Sequence, residues 1–346
     1  MDIVVDTNVL WGDYFCRSSR MQSLFDFLKR EKSALIIPRV VYEELLNLFE
    51  HDLQDRLKKL TGAQGKLKQI LSKPEDIVLR EVEVDEEVER LKKFYTGNFD
   101  SSLFKLIDYS KVEIAKLVDM AVRRVKPFKG NDKGFRDAVL WLSLLKYFET
   151  CGSSLIFISR NIHDFCGPDK QNLHPQLQKM VQGFKSDLLF YPSVDDFLRN
   201  KSVKVEGIDK TWLNKALLDT DIEDRIISIF EDDKAGRVTE LIYQRWEEAT
   251  GWFEIEEADI KVDDFFIYKL MNENLYLSVK FSGCLGIRVE TQVEEFLESL
   301  SYEHETWNPE IIGELSLKII DGQVADIKVE EVDIDISWMK VFTLPS

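Results

Sequence analysis

Ile3-Val4-Val5-Asp6-Thr7-Asn8-Val9-Leu10 is the stretch that decides the fold. Three consecutive β-branched residues read as a strand buried on both faces, as in a parallel sheet, and Asp6-Thr7-Asn8 begins the polar loop that follows it. The pattern returns twice. Ala34-Leu35-Ile36-Ile37 runs into Pro38, and Leu155-Ile156-Phe157-Ile158 runs into Ser159-Arg160-Asn161. Helical stretches lie between these runs. Met21–Arg30 is amphipathic, and a helix from Pro38 to about Leu53 starts on a proline suited to a first helical turn. A long charged helical stretch follows, with an acidic run at residues 81–89. Lys111–Arg124 is again helical. Residues 130–134 form a loop that leads into Phe135–Phe148, a helix apolar nearly all round and therefore buried. Short apolar strands alternating with helices predict an α/β domain with a parallel sheet, whose function sits beyond the carboxyl ends of the strands.

The character changes after about residue 200. Lys210–Glu231 reads as helical. From Trp252 onward the pattern is alternating and β-rich, and Asp321-Gly322 directly follows an apolar run, a strong hairpin signal. The expected organisation is an α/β domain over residues 1–200, a helical linker over 201–235, and a smaller acidic β-rich (α+β) domain over 236–346. A chain of 346 residues suits about two domains.

Composition excludes several function classes. With 44% apolar and 32% charged residues the chain can build real cores. No apolar window is long enough for a membrane span. Met1–Leu10 carries Asp2 and Asp6 without a basic run, so no secretory leader is expected there. Cys16, Cys151, Cys166 and Cys284 are scattered without a CxxC pair, which supports neither a disulfide framework nor a thiolate zinc site and fits a reduced, cytoplasmic protein. The four histidines form no HExxH.

The net charge of −17 is unevenly spread. Residues 1–200 hold 31 basic and 30 acidic side chains, a balance of +1, and the remaining residues hold 15 and 33, a balance of −18. The two regions have different electrostatic jobs, and the acidic one is unsuited to gripping nucleic acid. A protein partner, self-association, or restraint of the first domain is expected of it instead.

Four acids stand where chemistry is expected. Asp6 ends the first strand, where it reads either as a helix N-cap or as a functional acid at the sheet edge. Glu43 shares a polar helix face with Arg39, Asn47 and Glu50. Glu44 lies with Val40, Val41 and Leu48 on the apolar stripe, where a carboxylate needs a cation partner, basic side chain or metal. Asp137 occupies the first turn of the buried helix. Asp164 follows the third strand. Oxygen donors without Cys or His suit Mg²⁺ or Mn²⁺. A basic segment, Arg123, Arg124, Lys126, Lys129, Lys133 and Arg136, precedes Asp137 and reads either as a phosphate-binding strip or as a solvated helix end. His163 reads as a surface or packing residue.

These motifs, in this order, resemble those of PIN-domain nucleases. Val4-Val5-Asp6-Thr7-Asn8-Val9-Leu10 resembles the opening motif of that family, Pro38-Arg39-Val40-Val41-Tyr42-Glu43-Glu44-Leu45 the second, Phe135-Arg136-Asp137-Ala138-Val139 the third, and Phe157-Ile158-Ser159-Arg160-Asn161-Ile162-His163-Asp164-Phe165 the fourth. The interval between Glu44 and Asp137 is longer than in compact toxin-type members, which is similar to larger bacterial proteins of this kind with inserted helices and an extra C-terminal domain. The resemblance implies metal-dependent phosphodiester hydrolysis, usually of RNA. Asp6, Glu44, Asp137 and Asp164 would be the metal-binding acids, and Asn8, Ser159 and Asn161 would orient them. Toxin, RNA-processing enzyme and phage-defence effector are the roles such a nuclease could serve. The rival reading is a PIN fold that keeps its acids but only binds or assembles. A haloacid-dehalogenase-type phosphatase would need a second aspartate two residues after Asp6, where Asn8 stands.

Overall fold

The computed structural model describes residues 1–72, 82–128, 133–170, 172–205, 207–232, 234–246, 249–270, 272–295 and 299–335. Residue 81 of the acidic run, Lys129, the loop residues 130–132 and the end of the β-rich region from residue 336 lie outside them. The chain divides into two units, Met1–Asn200 and Lys201–Ser346.

In the first unit the three apolar runs become the central strands of a parallel sheet. β1 (Asp2–Val5) lies between β2 (Leu35–Pro38) and β4 (Leu155–Ile158), and β3 (Phe104–Ile107) and β5 (Leu188–Tyr191) form the edges, giving the order β3-β2-β1-β4-β5. Ile3, Val4, Val5, Leu35, Ile36, Ile37, and Leu155 through Ile158 are all inaccessible to solvent. Each such side chain contributes about 1.5–3 kcal/mol of burial free energy. The register places Val5 opposite Ile158, so the residues that follow, Asp6 and Ser159, leave the sheet side by side.

The helices are α1 (Thr7–Leu10), α2 (Ser19–Arg30), α3 (Arg39–Ile70), α4 (Val84–Asp100), α5 (Ile114–Val122), α6 (Phe135–Cys151), α7 (Ile162–Phe165), α8 (Pro175–Val181) and α9 (Val194–Arg199). α3 continues well past the expected end at Leu53. Its buried positions Val41, Leu45 and Phe49 recur every four residues and fix its rotation over the sheet. α4 packs on α3 through Tyr42, Tyr95 and Phe99, and the buried Tyr95 hydroxyl donates to the Tyr14 carbonyl at 3.1 Å. α6 is buried from Ala138 through Leu145, as its apolar composition requires. Gly134 sets its start: with φ of +102°, a Cβ there would stand 2.4 Å from the Pro127 carbonyl oxygen, so only glycine fits.

The second unit is an antiparallel sheet backed by helices. β6 (Ala249–Lys269), β7 (Leu275–Glu295), β9 (Glu310–Ile320) and β10 (Gln323–Ile334) run in the order β10-β9-β7-β6, and β8 (Ser299–Trp307) also pairs with β7. Asp321 and Gly322 have φ of +50° and +78°, the paired positive values of the tight turn their sequence predicts. α10 (Lys210–Leu218), α11 (Ile222–Asp232) and α12 (Ala235–Arg245) supply Leu213, Ile226, Phe230, Val238 and Ile242 to the same buried cluster as Ile255, Val279 and Leu315. The stretch expected to be a linker is therefore a layer of this unit: its apolar face has the sheet to cover. Among the described residues no helix is long and apolar enough to cross a membrane.

Candidate active site

The carboxyl ends of β1 and β4 bring the first and last motifs together. Asp6 caps α1 and is 5% exposed. Its Oδ1 accepts the Thr7 backbone N–H at 2.7 Å. Its Oδ2 accepts the Ser159 hydroxyl at 2.6 Å and the Asn8 amide at 2.7 Å. Asn8 also donates to Ser159 Oγ at 3.3 Å and accepts the Arg160 backbone N–H at 2.9 Å, and Ser159 Oγ accepts the Asn161 N–H at 3.0 Å. The two loops are thus laced together around one buried carboxylate. Asp6 is the helix cap of the first reading, and it is also the centre of this network.

The electrostatics of Asp6 are unusual. Burial pushes its carboxyl pKa up, the hydrogen bonds from Ser159 and Thr7 pull it back down, and the nearby Glu44 charge pushes it up again; the net shift is upward. All three donors it engages are neutral, and the charge that perturbs it has its own sign.

Glu44 reaches the same place from α3. Its Oε2 accepts the Thr7 hydroxyl at 2.8 Å, and its Oε1 is held by the Arg136 guanidinium from the first turn of α6. Glu43, one residue earlier, is exposed and accepts the Tyr109 hydroxyl at 3.1 Å. Helical phase separates the two glutamates as the sequence pattern indicates. Asp137 follows Arg136 in the first turn of α6 and is half-buried.

Asp164 differs from the other acids. It is 3% exposed in the short helix α7, its Oδ2 accepts the Asn161 amide at 2.8 Å, and Lys126 Nζ lies 3.8 Å from its Oδ1. Lys126 also donates to the His163 carbonyl at 2.9 Å. Of the basic segment, Lys126 and Arg136 therefore face carboxylates of the site, while exposed Arg123 pairs with Asp119 on its own helix. Arg124 and Lys133 are exposed. The sequence reading passed over Thr7, whose hydroxyl joins the first motif to the second; its place between Asp6 and Asn8 was the only signal.

Residues 3–165 match the family model of the PIN domain. The five-stranded parallel sheet with its helices fits that match. The N-terminal unit is a PIN domain. PIN domains are generally metal-dependent nucleases, and the match points to a nuclease-type function for this unit. No curated protein and no solved structure gave a significant match to the chain.

The PIN domain's donors fit a hard divalent cation in kind: carboxylate oxygens at a sheet edge, one of them buried against a like charge. Among the described residues no three His, Cys, Asp or Glu side chains converge as a metal-holding group. Thr7 and Arg136 hold one oxygen of Glu44 each.

Proposed function

We propose that this PIN domain is a Mg²⁺- or Mn²⁺-dependent endoribonuclease. The observation that carries the reading is Asp6. A carboxylate this buried, raised in pKa by desolvation and by Glu44, and hydrogen-bonded only by neutral groups among its described partners, is costly without a cation. Asp6, Glu44 and Asp137 would hold the metal, with Asp164 completing the acidic rim. When bound, a divalent ion supplies an activated water and stabilisation of the departing oxyanion.

The chain's own residues do the rest. Ser159, Asn8 and the Thr7 N–H fix the rotamer of Asp6, and the Thr7 hydroxyl fixes Glu44. Such orienting hydrogen bonds commonly carry 10- to 100-fold effects, on the order seen for the outer partners of metal ligands. Arg136 neutralises Glu44 and is placed to exchange onto a substrate phosphate, for which a guanidinium fork is suited. Lys126 holds Asp164 and the turn of α7. The acidic second unit, net −18 in its half of the sequence, is read as a protein-binding or self-association region rather than a nucleic-acid grip.

The deciding experiment is cleavage of RNA and DNA panels by the purified full chain with Mg²⁺ or Mn²⁺. RNA cleavage that disappears with chelator and with Asp6→Asn is the expected result. Metal binding without cleavage of any substrate would instead establish a PIN fold that serves binding or assembly.

A further inference from the structure

The amino edge of the parallel sheet, opposite the edge that carries the candidate active site, holds a cavity of about 640 Å³. It lies where α2 and α4 end and where β1, β2 and β3 begin, over Leu28 and Leu103. Its charged lining is three lysines, Lys29, Lys32 and Lys105, against one acid, Asp2. Asp2 is already engaged: it accepts the Ala34 N–H at 2.9 Å and the Tyr147 hydroxyl at 2.6 Å, and Lys105 Nζ lies 3.2 Å from its Oδ2. Among the described residues, neither the Lys29 nor the Lys32 ammonium has an ion-pair or hydrogen-bond partner.

A lysine in the last turn of a helix is ordinary, because the helix dipole favours it, and that reading covers Lys29. It does not cover Lys32. Lys32 is the first residue past the cap of α2, with φ of +51°, and Ser102 holds the same place after α4, with φ of +61°. Glycine takes this left-handed conformation without penalty and usually occupies the position. Both helices that end at the cavity put a donor side chain there instead. The helix ends do not need these donors. The backbone N–H groups of Lys32 and Ser33 bond the Lys29 and Leu28 carbonyls at 3.3 and 2.8 Å, and those of Ser101 and Ser102 bond Gly97 and Phe99 at 3.1 Å each.

We propose that this cavity binds a phosphomonoester, with Lys29 and Lys32 neutralising the phosphate and the Ser102 hydroxyl donating to it. A phosphomonoester carries close to two negative charges at neutral pH, which two ammoniums without counter-charges match. The volume is larger than a bare phosphate needs and lies in the range of sites that hold a small organic ligand such as a mononucleotide. The same group occurs free on a mononucleotide and at the end of an RNA chain. The site shares no residue with the acidic centre, so it stands independently of the nuclease reading.

The test titrates the full chain by calorimetry in chelator, which keeps metal chemistry at the acidic centre out of the readout. The probes are AMP, adenosine, and one short oligoadenylate carrying either a 5′-phosphate or a 5′-hydroxyl. AMP should bind saturably and adenosine should not. Lys29→Gln and Lys32→Gly should each weaken AMP binding about 5- to 20-fold, the size of a charge-assisted hydrogen bond discounted for solvent exposure. Because the backbone at Lys32 suits glycine, Lys32→Gly should keep or raise the melting temperature, so that its lost binding is not lost folding. Lys58→Gln, on α3 and outside the cavity, should leave AMP affinity unchanged. A preference of the native chain for the 5′-phosphorylated oligoadenylate, abolished by Lys32→Gly, supports a chain end as the ligand; AMP binding without that preference supports a free nucleotide. Absence of saturable AMP binding, equal binding of adenosine, or unaltered AMP affinity in both Lys29→Gln and Lys32→Gly overturns the proposal. So does a Lys58→Gln variant that loses as much affinity as they do, since a diffuse positive field would then account for the binding.

Discussion

The Thr7 hydroxyl donates to Glu44 Oε2 at 2.8 Å. Thr7 also donates its backbone N–H to Asp6. One residue therefore sets the position of two acids from two distant motifs, and the Glu44 charge it holds adds to the burial that raises the Asp6 pKa. Burial and like charge together strain this site electrostatically.

That strain has a pH signature. Asp6 has a folded pKa above its ordinary value of 3.8, so the folded state holds this proton more tightly than the unfolded chain does. Its contribution is most favourable below that ordinary value and is lost as pH rises through the raised folded pKa. Compared with Asp6→Asn, which has no charge to lose, the metal-free native chain should become progressively less stable across that window and then level off. Mg²⁺ or Mn²⁺ at neutral pH should raise the melting temperature of the native chain and leave Asp6→Asn nearly unmoved. Thermal denaturation of both proteins in chelator across a pH series, then with metal, checks this. A parallel pH dependence for the two would remove Asp6 as the source of strain.

Glu43 and Glu44 make a matched pair of controls. Glu44→Gln removes a carboxylate that Thr7 and Arg136 both engage, and RNA cleavage should fall at least about 100-fold, the upper end of what loss of a metal ligand's orienting partner costs. Glu43→Gln touches only the exposed contact to Tyr109, and the rate should stay within about 2-fold. Steady-state cleavage rates of the two variants decide the matter; a silent Glu44→Gln would place the acidic centre elsewhere.

Arg136 competes with any cation for Glu44. The pair involves a largely exposed guanidinium, so its removal should tighten Mn²⁺ binding only about 2- to 5-fold. The same Arg136→Ala change should slow RNA cleavage, because the phosphate loses its guanidinium. Calorimetric Mn²⁺ titration beside cleavage rates tests both halves. Weaker Mn²⁺ binding in Arg136→Ala would show that the arginine supports the metal site instead of competing for it.

What the sequence made legible follows from where the physics is local. The strands Ile3–Val5, Ala34–Ile37 and Leu155–Ile158 are buried on both faces and so consist of continuous apolar runs. The edge strands Phe104–Ile107 and Leu188–Tyr191 are half exposed; Lys105 interrupts the first, and the second is a continuous apolar run that the sequence reading passed over. Glu44 could be told from Glu43 because Val40, Val41 and Leu48 share its helix face, whereas Arg39, Asn47 and Glu50 share that of Glu43. The contacts of Arg136 with Glu44 and of Lys126 with Asp164 could not be read, since charged side chains far apart in sequence carry no periodicity that pairs them. Helices α10 and α11 passed for a linker because their apolar face becomes meaningful only once the sheet it covers is known.

The charge division yields the last prediction. The first 200 residues are nearly neutral and the remainder carries −18, so the second unit should repel a polyanion drawn to the first. Each unit has its own buried cluster, and a chain of residues 1–200 keeps the whole parallel sheet, so it should fold and bind RNA more tightly than the full chain. Repulsion of this kind acts across about 30 Å at 0.01 M salt and about 8 Å at 0.15 M, so the difference in affinity should be large at low salt and fade toward physiological ionic strength. Binding itself weakens with salt for both proteins through counterion release, which makes the ratio of the two affinities the quantity to follow. If the acidic unit instead provides self-association, truncation should change the mass in solution and leave that ratio flat. RNA affinities of both proteins across a salt series, with mass by light scattering, separate the outcomes. Equal affinities for two folded proteins at every salt concentration would assign the acidic unit to a protein partner and exclude electrostatic restraint.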